Sequence, residues 1–267
     1  MEGGSAVKIT VLLENTATRA GLRAEHGLSL YLEVGDLRIL FDAGPSDALA
    51  ENGETLGVDL KRVDVAVLSH GHSDHADGFR RFREINPGAK IYASRYAFGP
   101  YYNAHGKYIG LDPELTPEDG WILTSERVSL GAGITLCPGV ETALPGEASG
   151  LQVMTGTGPK PDDFRHEQYL LVEEGGKRVL ISGCSHRGVE NIVACFRPDV
   201  LIGGFHVKDI PPIGEGKARL TALANRLAAE PTLYYTCHCT GGEQFAVMKE
   251  ILGPRLQYAG GGTVLEI

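Results

Sequence analysis

Apolar and polar positions alternate through the first third of the chain as they do in half-buried strands. The pattern predicts strands over 6–14 ("AVKITVLLE"), 27–35 ("GLSLYLEVG") and 37–44 ("LRILFDAG"), the last two joined as a hairpin at Gly35-Asp36. The apolar run "VDVAVLS" (63–69) predicts a further strand, and "DHADGFRRFREI" after it carries Phe79, Phe82 and Ile85 at helical spacing. "KIYAS" (90–94) reads as a strand, whereas 95–120 is irregular and aromatic and reads as a lid or insertion. The second half repeats the style. "GITLCPGV" is strand-like, "QYLLVEEGGKRVLISG" is a hairpin turning at Gly175-Gly176, "VENIVACF" is a short helix and "DVLIGGFH" (199–206) is an apolar strand. Leu220, Leu223 and Leu227 form one stripe of an amphipathic helix over 217–230. A strand "PTLYYTCH" (231–238), a helix "GGEQFAVMKEIL" and two short strands, "RLQYA" and "TVLEI", close the chain. No Pro/Ser/Gly-rich linker divides these segments, so 1–267 is read as one domain.

The strands tend to end where polar residues gather, which predicts that strand termini from both halves converge on one edge, where loops carry function on a rigid scaffold. Hydrophobic residues at 42% and charged residues at 22% are ordinary for a soluble globular protein and exclude disorder and fibrous repeats. A formal net charge of −9 argues against a nucleic-acid partner or an anionic membrane, though a local positive patch can still take a small anion. The N-terminal segment reads as lacking a leader, and no apolar run reaches the roughly 18 residues of a membrane span. The expectation is a cytoplasmic protein. Five cysteines, an odd number in a long chain, fit reduced thiols better than a disulfide framework.

The chemistry concentrates in "LSHGHSDHADG" (68–78), which holds three of the chain's nine histidines and two aspartates. In an extended stretch His70 and His72 point the same way and can hold one ion together. Asp74 and His75, after the chain turns into its helix, reach a second ion nearby. Gly71 and Gly78 let the backbone turn tightly around the cluster. Imidazole and carboxylate donors suit Zn²⁺, Fe or Mn²⁺ rather than Ca²⁺. One loop rarely supplies every ligand for two ions, so further histidines are expected downstream.

On His70-Gly71-His72-Ser73-Asp74-His75 and the strand before it, the sequence resembles the metallo-beta-lactamase superfamily. "ILFDAG", with Asp42 at its end, looks like the family's early strand. "LISGCSHRG" (180–188), "LIGGFH" (201–206) and "CHCTGG" (237–242) resemble the subgroup related to 7,8-dihydropterin-6-methyl-4-(ribofuranosyl)-aminobenzene-5′-phosphate synthase. The resemblance implies an α+β fold, a four-layer αββα sandwich, with a dinuclear site on one edge. His186 is the expected third ligand of the first ion and His238 the expected partner of Asp74 and His75 at the second, strand alternation turning Cys237 and Cys239 to the opposite face. Many superfamily members place a bridging aspartate after a glycine where Cys184 follows Gly183 here; a bridging thiolate, a bridging water and an inert buried thiol all remain open. Asp42 is expected to orient ligand histidines, and Asp77 to start a helix or assist.

His206 is open between ligand, substrate contact or general acid and a hydrogen-bonded strand end. His166 is read as facing solvent. His105, with Tyr101, Tyr102 and Tyr108, fits either a lid over an organic substrate or a packed surface loop. Thr240, before a helix, is a candidate to meet a phosphate, while "AGGGT" (259–263) reads as a turn. The leading expectation is a metal-dependent hydrolase with two divalent ions, Zn²⁺ first and Fe or Mn as alternatives, acting on a small anionic metabolite, a phosphorylated one being a candidate, with Asp74 as the catalytic side chain. The alternatives are a dihydropterin-type transferase releasing pyrophosphate and a non-catalytic metal-binding or redox sensor module. Oligomeric state is left open.

Overall fold

The computed structural model describes residues 7–131, 133–140 and 150–267. Residues 1–6, which open the N-terminal segment read as lacking a leader and include the first residue of the expected strand over 6–14, lie outside the described residues. One sheet has seven strands in the order β17 (Val264–Glu266), β1 (Lys8–Leu13), β2 (Ser29–Val34), β3 (Leu37–Phe41), β4 (Val65–Val67), β5 (Lys90–Ser94) and β7 (Trp121–Thr124). The other runs β8 (Val128–Gly131), β9 (Ile134–Pro138), β12 (Gln168–Glu174), β13 (Lys177–Ile181), β14 (Val200–Gly203), β15 (Leu233–Thr236) and β16 (Leu256–Tyr258). In that order each sheet makes three antiparallel joins and then three parallel ones. A three-stranded sheet of β11 (Gly158–Pro161), β10 (Gln152–Thr155) and β6 (Tyr101–Tyr102) ties part of the expected 95–120 insertion to the body.

Alternation along the strands sorts side chains into three apolar layers. Ile39 and Phe41 of β3 join Leu170, Val172, Val179, Ile181 and Ile202 in a core between the two sheets. Leu40, one residue along, faces the other way into a core with Leu49 of helix α1 (Ala48–Leu56) and with Phe79 and Phe82 of helix α3 (Phe79–Ile85). On the far side Tyr169, Leu171, Leu180 and Leu201 pack under helices α4 (Val189–Phe196), α5 (Gly214–Ala228) and α6 (Gly242–Leu252). Central strands are therefore apolar on both faces, which explains their near-continuous hydrophobic runs. The result is the expected α+β, four-layer αββα sandwich. Among the described residues no helix is long and apolar enough to cross a membrane.

The parallel halves of the sheets matter for the site. The chain leaves β3, β4, β13, β14 and β15 at their carboxyl ends, where open α/β sheets form their clefts, and the one-turn helix α2 (Ser73–Ala76) caps the exit from β4.

Candidate metal centre

Among the described residues, four of the six non-glycine residues with positive φ lie just beyond these strand ends: Asp42 (60°), Ser185 (57°), His206 (50°) and His238 (49°). A left-handed residue costs about 1–2 kcal/mol, so such a concentration marks backbone strained to aim side chains at one place. Glycine serves the same end at Gly183, where a Cβ would lie 2.3 Å from Ser69 Oγ and 3.1 Å from His70 Nδ1. Only a residue without a side chain lets the end of β13 come so close to the His70 support.

Two groups of donors meet beneath a cavity of about 440 Å³. In the first, ligand atoms of His70, His72 and His186 lie within 4.8 Å of one another, and the Nε2 atoms of His70 and His186 approach to 3.3 Å. In the second, His75 Nε2 is 3.2 Å from His238 Nε2, and Asp74 Oδ2 is 3.3 Å from His238 Nε2 and 3.9 Å from His75 Nε2. Cys184 Sγ lies 3.2 Å from His75 Nε2.

Hydrogen bonds behind the rings fix their tautomers. Asp42 accepts from Ser69 N and Ser69 Oγ and from His75 Nδ1, all at 2.7 Å. Ser69 Oγ, having given its proton to Asp42, accepts from His70 Nδ1 at 2.8 Å. His238 Nδ1 donates to Asn15 Oδ1 at 2.8 Å. Each of these rings, when neutral, turns its Nε2 lone pair toward the centre. His72 Nε2 is buried there with no hydrogen-bond partner, as are His186 Nδ1 and His206 Nδ1. The converging Nε2 lone pairs, with His72 Nε2 left orphaned among them, are satisfied by a cation, so this donor set fits a divalent metal.

The electrostatics agree. Burial, reinforced by neighbouring histidines, holds His70, His72 and His186 well below the usual imidazole range, leaving them neutral as ligation requires. Burial also lowers His75, but the Asp42 and Asp74 carboxylates outweigh it and push the ring up to about 9, so an ion bound at Nε2 displaces a proton. Burial alone would raise the Asp74 carboxyl; His75, His238 and His72 together keep it well below the ordinary carboxylate range and hence ionised.

Among the expected residues, His70, His72, Asp74, His75, His186 and His238 come together, with Asp42 behind them. Cys184 lies between the two groups. His206 is half-buried with its ring 4.1 Å from that of His186, and it lines the cavity with His105. Other expectations change. His166 is fully buried instead of facing solvent: it accepts from Gly71 N at 2.9 Å and donates to Asp162 at 3.0 Å, bracing the loop that carries His72. Strand alternation does not govern Cys239, because β15 ends at Thr236 and a tight turn follows; Cys237 enters the inter-sheet core while Cys239 joins the centre. The Thr240 hydroxyl is buried, accepting from Phe205 N at 2.9 Å and pairing with Thr236, so it holds two strand ends together and is not free for phosphate. Tyr101 is buried behind His72, and Tyr102 packs on Tyr108; none of the three is among the described residues lining the cavity. Asp77 accepts from Asp112 N at 2.9 Å and so ties down the segment after the cavity-lining loop. The backbone N–H groups of Gly261 and Gly262 go to Thr16 O and Val11 O, consistent with a turn.

Sequence reasoning missed the supports outside the motif. Glu14 accepts from His238 N at 2.5 Å and from Tyr258 OH at 2.7 Å, and Glu167 accepts from His186 N at 2.7 Å. His26 lies with its ring 4.7 Å from that of His238 and its Nε2 3.0 Å from Lys208 Nζ. One signal was available: "ENT" follows β1 directly, the same polar end to an apolar strand seen at the other site segments. A larger depression of about 980 Å³ lies between α1 and α3, but its ordinary surface charges, such as Glu51, Glu54, Arg81 and Glu84, do not converge on any point.

The family model for the metallo-beta-lactamase superfamily matches residues 22–225. An uncharacterized protein of Methanocaldococcus jannaschii is 28% identical over 254 residues, covering 91% of this chain and 94% of its own. The 7,8-dihydropterin-6-methyl-4-(beta-D-ribofuranosyl)-aminobenzene-5′-phosphate synthase of the same organism is 26% identical over 262 residues, 88% of each chain. Among solved structures, Tm1679, described as a metal-dependent hydrolase of the beta-lactamase superfamily, superimposes with a TM-score of 0.77 at 25% identity, covering 98% of this chain and 99% of that one. With the motif, the sandwich and the donor cluster all in place, the chain belongs to the metallo-beta-lactamase superfamily.

Proposed function

We propose that the protein is a hydrolase using two divalent ions, one held by His70, His72 and His186 and the other by Asp74, His75 and His238. The carrying observation is the convergence of these two donor groups, with aligned tautomers and an unpartnered His72 Nε2, at the floor of an open cavity. Since the donors come from loops of both sheets, the chain is taken to work as one domain. When bound, the ions supply Lewis acidity, polarising the attacked group and making a water acidic enough to act as nucleophile near neutral pH.

The protein's own groups would do the rest. Asp74, a quarter exposed toward the cavity, stays ionised and can orient the attacking water through its carboxylate. Lys107 and Lys208 line the cavity beside the donors, two cationic side chains in a chain of net charge −9, with Asp209 a further lining carboxylate; burial lowers His26 to about 4, so that ring is neutral. That contrast supports a small anionic substrate such as a phosphate ester, with the lysines in the role that Thr240 does not fill. Metal analysis and a panel of phosphomonoesters and phosphodiesters test this reading. Two ions per chain and turnover are expected, with both reduced in His72→Ala; Lys208→Ala should raise KM several-fold with kcat little changed. A wild-type protein that binds no zinc, iron or manganese after reconstitution would overturn it.

The similarity to the synthase over most of both chains favours a second reading, transfer onto or within a pterin-like substrate with release of pyrophosphate. Ions bound without hydrolysis of any ester, together with pyrophosphate release from a pterin diphosphate and an acceptor, would select it.

A further inference from the structure

We propose that His26 and Lys208 form a clamp for one anionic oxygen of the substrate, beside the Asp74, His75 and His238 group. The clamp deepens the anionic-substrate reading above and rests on it for what is bound, though not for the geometry. His26 Nε2 and Lys208 Nζ lie 3.0 Å apart at the wall of the cavity. Whether they can bond to each other depends on which ring nitrogen of His26 carries the proton.

The backbone decides that through Asn15. Its Oδ1 accepts from Gly27 N at 3.4 Å and its Nδ2 donates to His238 O at 3.4 Å, so main-chain groups orient the amide from both ends. The same orientation lets Oδ1 accept from His238 Nδ1 at 2.8 Å. Asn15 Nδ2 then faces His26 Nδ1 at 3.2 Å, and that ring nitrogen has to be an acceptor. The one proton of the ring therefore sits on Nε2, in line with the neutral state that burial enforces. In this tautomer Nε2 has no lone pair for a metal, although it lies 3.4 Å from Asp74 Oδ2. That oxygen already faces His238 and His75 and is turned to the ion position. Nε2–H and the Lys208 ammonium thus meet as two donors that cannot bond to each other. Among the described residues no carboxylate pairs with the ammonium. An anionic oxygen that accepts from both satisfies the arrangement.

Both partners are held in place. Gly27 lets the loop before β2 press on α2: a Cβ there would lie 2.5 Å from Asp74 O and 2.5 Å from Pro45 Cδ, and Leu28 N donates to Asp74 O at 3.3 Å. His26 is thereby fixed with its ring 4.7 Å from that of His238, while its side chain stays 49% exposed and open to a ligand. Lys208 N donates to Cys239 O at 3.0 Å, and Lys208 O accepts from Gln244 Nε2 at 2.8 Å.

Equilibrium dialysis of radiolabelled inorganic phosphate against the full chain, zinc-loaded and chelator-treated, tests the clamp. His26→Leu and Lys208→Met are each expected to weaken phosphate binding by about tenfold, the usual loss of a hydrogen bond to a charged group, with bound zinc unchanged. The double variant should fall well short of the roughly hundredfold loss of two independent contacts, because one oxygen takes both donors. His26→Gln, whose side-chain N–H₂ reaches the place of Nε2–H, should stay within about threefold of wild type. Unchanged affinity in both single variants, an effect confined to Lys208→Met, fully additive losses in the double variant, or His26→Gln as weak as His26→Leu would each overturn the clamp. So would loss of zinc from folded His26→Leu, which would make the ring a ligand or a support of Asp74. A wild type that binds phosphate in neither form overturns the clamp and leaves the hydrolase reading to its own test of metal content and turnover. If the protein takes up no zinc, iron or manganese, the hydrolase reading falls, while the same losses in the metal-free variants would keep the clamp.

Discussion

The Asp42 carboxylate takes three hydrogen bonds, from Ser69 N, Ser69 Oγ and His75 Nδ1, and so holds a histidine of each donor group, one directly and one through a hydroxyl. Asparagine at this position can keep only part of that arrangement. Its oxygen still accepts from Ser69 N, but its amide N–H₂ meets the Ser69 hydroxyl and His75 Nδ1 as a donor. His75 then has to carry its proton on Nε2, where a lone pair is needed, and His70 loses the acceptor that fixes its own tautomer. Asp42→Asn is therefore expected to weaken metal binding by about 10–100-fold, the usual effect of removing a carboxylate behind a ligand histidine. Isothermal titration of Zn²⁺ into chelator-treated protein, with circular dichroism to confirm folding, measures it. Unchanged affinity in a folded variant would show that Asp42 does not position the rings.

At the scale of elements, the legible parts are those whose information is local. The 68–78 cluster carries its ligand spacing in consecutive residues, and the central strands and α5 declare themselves by two- and 3.6-residue periods. Helix α1 was not legible because its buried face is Ala48, Leu49, Asn52 and Gly53, hardly an apolar stripe. Strands β7 and β8 lie at sheet edges with only partial burial, and β10 and β11 belong to an exposed small sheet. The left-handed turns after β14 and β15 were invisible for a different reason: His206 and His238 adopt them only because tertiary contacts such as Glu14 to His238 N, across 224 positions, hold them there. Where the period is clean the energetics follow. Leu220 on α5 is fully buried in the outer core under β13 and β14, so Leu220→Ala should cost about 2–5 kcal/mol. Chemical denaturation should find this loss with metal stoichiometry unchanged, since none of the donors lies on α5; a loss of bound metal in the folded variant would contradict that separation.

At the scale of the whole molecule, the proposed centre is a junction between the two sheets. His70, His72, Asp74 and His75 leave the first sheet after β4, whereas Cys184, His186 and His238 leave the second after β13 and β15. Even the supports cross over, since Glu14 and Asn15 at the end of β1 hold His238. Ions bound here would link the sheets at one edge, adding to the inter-sheet core, and only the folded chain presents the donors together. Binding restricted to the native state stabilises it by about 2.7 kcal/mol per ion at a free concentration 100 times Kd. For a chain of this size that corresponds to roughly 5–10 °C in Tm per ion. Chelation should lower Tm accordingly and added Zn²⁺ should restore it, with differential scanning calorimetry as the readout. In His238→Ala, which removes a donor from one group only, the chelator-induced drop should shrink to about half. A Tm indifferent to chelator, in protein shown by elemental analysis to carry metal beforehand, would mean that the ions do not bridge the two sheets and that the sandwich core alone holds this edge closed.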